Sequence, residues 1–195
     1  MPTDRDLSHT TVAILCTDGV EQVELTRPWN ALADAGATVH LVSPTHPVQA
    51  YDHLAEADTF ETERQVDQVN PSVYDALVLP GGVANPDALR LDPQAVALVE
   101  SFVEAGKLIA AICHAPWLLV EADAVANRRL TSWPSLETDL RNAGATWLDQ
   151  ELVVDEDGPD LGPQLSSRKP ADLDVFVDAL IEALAALPST ADAPC

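Results

Sequence analysis

Residues 107–119, Lys-Leu-Ile-Ala-Ala-Ile-Cys-His-Ala-Pro-Trp-Leu-Leu, constrain the fold more than any other stretch of the chain. Leu108 to Ile112 is short and wholly apolar, with no polar residue in alternation. Such a run fits a strand buried on both faces, as in parallel sheets covered by helices. Pro116 then stands where a helix would start, because proline suits a first helical turn and interrupts a strand ladder. Between the two lie Cys113 and His114. A strand turning sharply into a helix, with a thiol at the corner, has the geometry of a nucleophile elbow. Ala111 and Ala115, two residues to either side, leave the room such a turn needs. A helix start beside Cys113 would aim free N–H groups at its sulfur, favouring thiolate and supplying oxyanion donors. The competing reading is a buried core cysteine, since a free cysteine packs as a small hydrophobe.

The same alternation recurs along the chain. Thr11 to Cys16 is a buried-type strand closed by the turn signal Thr17-Asp18-Gly19. A helix follows with Glu21 and Glu24 near its start, an apolar face of Trp29, Leu32 and Ala33, and Gly36 at its end. Further strands are expected at Thr38–Val42, Ala76–Leu79, Arg129–Ser132 and Leu165–Ser167, with a pair of edge strands at Thr146–Leu148 and Leu152–Val154. Helices are expected at Pro93–Ala105, from Pro116 to about Glu121, at Pro134–Ala143 and at Ala171–Leu187. Residues 44–72 read as a short strand or hairpin plus irregular connection. The pattern predicts an α/β sandwich with a mostly parallel sheet, as one domain over residues 11–187. Residues 1–10 form a polar arm and 188–195 a tail. In such sheets ligands bind beyond the carboxyl ends of the strands. Glu21 and Glu24, the pair Gly81-Gly82 and Cys113 all fall on that rim. The glycine pair is either a plain turn or a place where backbone N–H groups meet a ligand.

At 195 residues and 47% hydrophobic, the chain can bury a large core and is not a disordered sequence. No apolar run reaches the ~18 residues of a membrane span, and the first residues lack the pattern of a signal peptide, so a cytoplasmic protein is expected. Cys16, Cys113 and Cys195 are odd in number and far apart, which implies no disulfide framework, and no Cys/His spacing suggests a metal site. No cofactor is expected. The net charge of −22, from 32 acidic and 10 basic residues, repels nucleic acid and anionic membranes. Acidic residues with only two lysines also suit a chain kept in solution at high salt.

Every histidine lies at or before position 114, so the downstream histidine of an amidotransferase-type Cys–His–acid hydrolase is missing. Neighbours at an elbow point apart, so His114 reaches its own thiol only if the backbone there takes a favourable twist. Glu24 is then the more economical partner: a carboxyl held against a thiol away from water would keep its proton and could act as general acid and base. The competing reading of Glu24 is charge complementarity at a helix N-terminus.

The segments Ala-Ala-Ile-Cys-His-Ala-Pro-Trp, Asp-Gly-Val-Glu-Gln-Val-Glu-Leu-Thr-Arg-Pro, Leu-Val-Leu-Pro-Gly-Gly-Val-Ala-Asn-Pro-Asp-Ala-Leu-Arg and Leu-Thr-Ser-Trp-Pro-Ser-Leu, with Ser-Ser-Arg-Lys-Pro-Ala-Asp-Leu, resemble the PfpI branch of the DJ/PfpI superfamily in order and register over about residues 11–185. The resemblance implies a flavodoxin-like three-layer sandwich that forms a homodimer or a hexamer built from dimers. It implies a reactive Cys113 beside a protonated Glu24, with His114 adjacent, Glu21 as a further pocket acid, and an oxyanion N–H from Gly82 beside Gly81 joined by one from Cys113 or His114. Some PfpI peptidases complete a triad with an acid from an adjacent subunit. Asp87 stands at that position in place of glutamate, with one residue more after the glycine pair, which weakens the case for peptide cleavage. Residues 155–165 are also longer than the hairpin of the family pattern. The functions implied are a Cys-dependent hydrolase or lyase on small carbonyl substrates or glycated protein adducts, an intracellular cysteine peptidase, or a stress-response redox sensor or chaperone that uses Cys113 oxidation.

Overall fold

The computed structural model describes residues 5–156 and 162–187; the expected tail 188–195, Cys195 and the middle of the 155–165 insertion lie outside the described residues. Five of the short apolar runs form the parallel centre of a seven-stranded sheet. In chain order the first half contains β1 (Thr11–Leu15), β2 (Val20–Glu21), α1 (Gln22–Asp34), β3 (Thr38–Ser43), β4 (Val48–Asp52), β5 (Ala55–Phe60), β6 (Arg64–Gln65), β7 (Ala76–Leu79) and α2 (Ala84–Leu89). The second half contains α3 (Pro93–Glu104), β8 (Leu108–Ile112), α4 (Pro116–Glu121), β9 (Arg129–Leu130), α5 (Glu137–Asn142), β10 (Thr146–Trp147), β11 (Leu152–Asp155), β12 (Gln164–Ser167) and α6 (Leu173–Ala185).

The main sheet runs β11-β12-β8-β7-β1-β3-β6, and only the β11–β12 pairing is antiparallel. Side chains alternate across it as two-residue periodicity requires. From β1, Ala13 and Leu15 enter a core with α3, α4 and α5, through Leu98, Phe102, Leu118 and Leu140. Val12 and Ile14 enter the opposite core with α1 and α6, through Leu25, Leu32, Phe176 and Leu180. Two apolar layers on one sheet make the three-layer sandwich. Between β1 and β7 the connections diverge, one leading to β3 and the other to β8. A doubly wound sheet opens its ligand crevice at that switch point.

Several expectations need correction. The strands around 146–155 are not paired with each other: β10 joins β9 in a separate parallel pair, and β11 joins β12 at the edge of the main sheet. The polar arm is anchored, with Leu7 buried and its N–H donating to Ala35 O at 2.8 Å, while Arg5 pairs with Asp178 and Glu182 on α6. Residues 44–72 do contain a hairpin, β4–β5, which pairs with β2 in a small second sheet and leans over the switch point. The insertion is gripped at both flanks by buried Arg128, which contacts Asp155 at 3.1 Å and Gly162 O at 2.6 Å. No helix of the described residues is long and apolar enough to cross a membrane.

Candidate active site

Cys113 directly follows β8 and adopts φ +63°, a left-handed conformation that costs a non-glycine residue about 1–2 kcal/mol. That strain breaks the side-chain alternation: Ile112 and Cys113 both face the core under α1 and α6. The backbone holds it in place, because the Cys113 N–H donates to Ser167 O at 3.0 Å and the Trp133 N–H to Cys113 O at 2.8 Å. The Cys113 N–H is therefore spent on the sheet. Of the two oxyanion donors expected at the elbow, His114 is the one left, and its N–H and that of Gly82 favour the thiolate of Cys113.

The twist at Cys113 is the one that brings the histidine to its own thiol. His114 Nδ1 lies 3.2 Å from Cys113 Sγ. Its ring is stacked on Trp133 at 5.6 Å with an interplanar angle of 21°, and tilted against Trp117 at 5.4 Å. Burial lowers the proton affinity of the imidazole, which keeps it neutral near pH 7.

Glu24 reaches the same point from the first turn of α1. It is fully buried, and Oε2 accepts the Gly81 N–H at 2.8 Å. Oε1 meets no partner at full hydrogen-bonding geometry among the described residues, yet the carboxyl and the Cys113 thiol lie close enough to shift each other's proton affinity. Burial raises the Glu24 pKa to about 8, against the opposing pull of the Gly81 N–H. The Cys113 thiol is pushed up as well, first by burial and then by negative charge on Glu24, while the Gly82 and His114 N–H groups favour its thiolate. Two acids in one dry corner hold one charge more readily than two. Glycine is required where they meet: a Cβ at Gly81 would lie 2.6 Å from Glu24 Oε2 and 2.7 Å from Cys113 Cβ, and Gly82 sits at φ +82°.

These groups line a pocket of about 540 Å³ whose other walls include Tyr51, His53 and Leu54 of the β4–β5 hairpin, Val83, Ala84, Trp133 and Pro170. Among the described lining residues there is no lysine or arginine. Glu21 lines the mouth, mostly buried, and accepts the His53 N–H at 3.2 Å. Glu21, Asp52 and His53 bring three potential metal-ligating atoms within 4.8 Å of one another, although Asp52 and His53 are exposed. Asp87 is elsewhere. It is exposed on α2 and is not among the pocket residues of its own chain, and among the described residues no carboxylate pairs with His114. Trp133 and the hairpin residues were not singled out as site candidates from the sequence. The Leu-Thr-Ser-Trp-Pro-Ser-Leu segment was the one available signal for Trp133.

The chain is 37% identical over 173 residues to a deglycase of Thermococcus kodakarensis, covering 89% of this chain and 98% of that one. It is 38% identical over 165 residues to protein/nucleic acid deglycase 2 of Escherichia coli, covering 85% and 92%. The crystal structure of Drosophila melanogaster DJ-1beta superposes with a TM-score of 0.78 at 26% identity, covering 91% of each chain. The sequence profile of the DJ-1/PfpI family matches residues 10–183, a span that contains the strained cysteine, the glycine pair and the buried glutamate together. The chain belongs to the DJ-1/PfpI family.

Proposed function

We propose that this protein is a Cys113-dependent enzyme acting on α-oxoaldehydes or their adducts with protein side chains, in the manner of a deglycase. The observation that carries this reading is the buried Glu24 carboxyl, with a pKa raised to about 8, facing a strained thiol in a small pocket. A group poised near the working pH can give a proton and take one back.

The neutral His114, with Nδ1 3.2 Å from the sulfur, takes the thiol proton as Cys113 adds to the aldehyde carbon and forms a C–S bond. Oxygen becomes an alkoxide within reach of the Gly82 and His114 N–H groups and takes the proton of Glu24, giving a hemithioacetal. Glu24, now a carboxylate, removes the proton from the former aldehyde carbon and returns it to the adjacent carbon. The hydroxyl proton on the former aldehyde oxygen passes to the neighbouring oxygen, and the adduct becomes the thioester of a 2-hydroxy acid. Water cleaves the C–S bond, releasing the hydroxy acid and restoring the thiol. From a glycated amine, protonation of the adduct nitrogen breaks the C–N bond first and frees the aldehyde for the same sequence. Peptide cleavage draws less support, because a leaving amide nitrogen needs a proton from an acid-oriented histidine, and His114 Nδ1 is turned to the sulfur.

The test is methylglyoxal consumption with D- and L-lactate as the readout. Wild type should exceed Cys113→Ala at equal concentration, and equal rates would end the proposal. A redox-sensing role would draw on the same carboxyl to stabilise an oxidised sulfur. It requires peroxide to oxidise Cys113 ahead of Cys16, as read by mass spectrometry.

A further inference from the structure

Asn85 is a buried polar residue behind this site that no step above uses. It lies in the first turn of α2, is fully buried, and every polar atom of its side chain is engaged. Oδ1 accepts the Thr17 N–H at 2.7 Å, just beyond β1. That bond settles which end of the amide is oxygen. Nδ2 then donates to two successive carbonyls, Pro80 O at 2.8 Å and Gly81 O at 3.0 Å.

A trans peptide points its C=O and its N–H in opposite directions. If Pro80 O is drawn toward Asn85, the N–H of the same peptide, on Gly81, must point away from it, and it meets Glu24 Oε2 at 2.8 Å. If Gly81 O is drawn the same way, the Gly82 N–H must point away too, on the side where it favours the Cys113 thiolate. The glycine at 81 makes both orientations reachable, and neither glycine has a side chain to fix them. Without the amide, nothing else described on that side holds Pro80 O, and Gly81 O keeps only a 3.4 Å contact with the Glu21 N–H.

We propose that Asn85 is a positioning residue: its side-chain amide turns the two peptide planes of the glycine loop so that one N–H meets Glu24 and the next meets the Cys113 sulfur. It touches no substrate. The inference rests on Cys113 as the reacting thiol, and the test reads that thiol without any substrate, so it stands or falls separately from methylglyoxal turnover.

The measurement is the pH profile of Cys113 alkylation by iodoacetamide, followed on the Cys113 peptide by mass spectrometry, in wild type, Asn85→Ala and Asn85→Asp, with melting temperatures alongside. Asn85→Asp keeps the shape and the acceptor for Thr17 but sets an oxygen against both loop carbonyls. Losing one N–H bond to a thiolate moves the midpoint up by about one pH unit and slows alkylation below it roughly tenfold. Both variants should show that shift. Val99→Ala, a cavity in the core under α3, should lower the melting temperature and leave the midpoint alone. An unmoved midpoint in the two Asn85 variants, or an equal shift in Val99→Ala, overturns the proposal. Should neither Asn85 variant fold, NMR on the wild type decides: the Gly81 and Gly82 amides and the Asn85 side-chain protons should titrate with one common midpoint matching Cys113 alkylation. Titration of the glycine amides without Asn85 overturns it.

Discussion

Cys16 and Cys113 occupy nearly the same address. Each directly follows a parallel strand, β1 or β8, and each donates its backbone N–H to a neighbouring strand, to Val42 O at 3.1 Å and to Ser167 O at 3.0 Å. Both are buried, and burial raises both thiols above the ordinary cysteine range. Only one of them borders the pocket. Cys16 is fully buried, and the negative charge of Asp18 further opposes its thiolate. Cys113 sits at φ +63° and is met by two N–H groups and a carboxyl that can lend a proton. A thiol at a strand's carboxyl end is therefore common to a bystander and a candidate nucleophile. Backbone strain and the facing glycine loop separate them.

The widest separation is expected between alanine substitutions at the two positions. Cys113→Ala should reduce methylglyoxal turnover by roughly 10³-fold or more, and Cys16→Ala by less than about twofold, in the same lactate assay. Comparable losses would erase the contrast. Next in size, Glu24→Gln removes the proton relay while preserving the shape, and kcat should fall by about 10²–10⁴-fold.

The same variant has a signature in stability. The Glu24 pKa rises from 4.5 to about 8 on folding, so its favourable contribution is complete below pH 4.5 and is withdrawn as pH climbs through 8. Between those limits wild type should lose on the order of 3–5 kcal/mol that Glu24→Gln does not lose, read by urea denaturation at pH 5 and pH 8. A parallel pH dependence in the two proteins would show that the carboxyl is not held in its neutral form. Gly81→Ala should cost about 1–3 kcal/mol of stability, because its Cβ would meet Glu24, Cys113 and Ile112 O within 2.9 Å. The smallest effect is expected at Asp87→Asn, less than about twofold on carbonyl turnover. A large loss there would bring an acid to His114 and revive the peptidase reading.

The central strands, the elbow and the position of Glu24 at the start of α1 were legible because each rests on a local signal: an unbroken apolar run, a proline after a turn, an acid after a turn. What escaped was set by the fold. Six-residue α2 is too short for a helical period to register, so neither Asn85 nor the place of Asp87 on that helix could be read in advance. The β4–β5 hairpin was vague because β5 lies largely exposed and carries no apolar alternation. The orientation of His114 could not be fixed in advance because adjacency along the chain says nothing about a left-handed φ at the preceding residue. Leu7 was read within a polar arm because a single leucine among polar residues has no period, and its backbone partner at Ala35 is set by the fold.

The aromatic stacking around His114 also equips the protein with an intrinsic optical reporter. Two of the four indoles, Trp117 and Trp133, lie within 6 Å of this imidazole ring. An imidazolium quenches indole emission far more than the neutral ring does. Fluorescence should therefore dim below the usual histidine range and respond when the sulfur beside the ring is modified, so the chemistry of this corner can be followed without attaching a label.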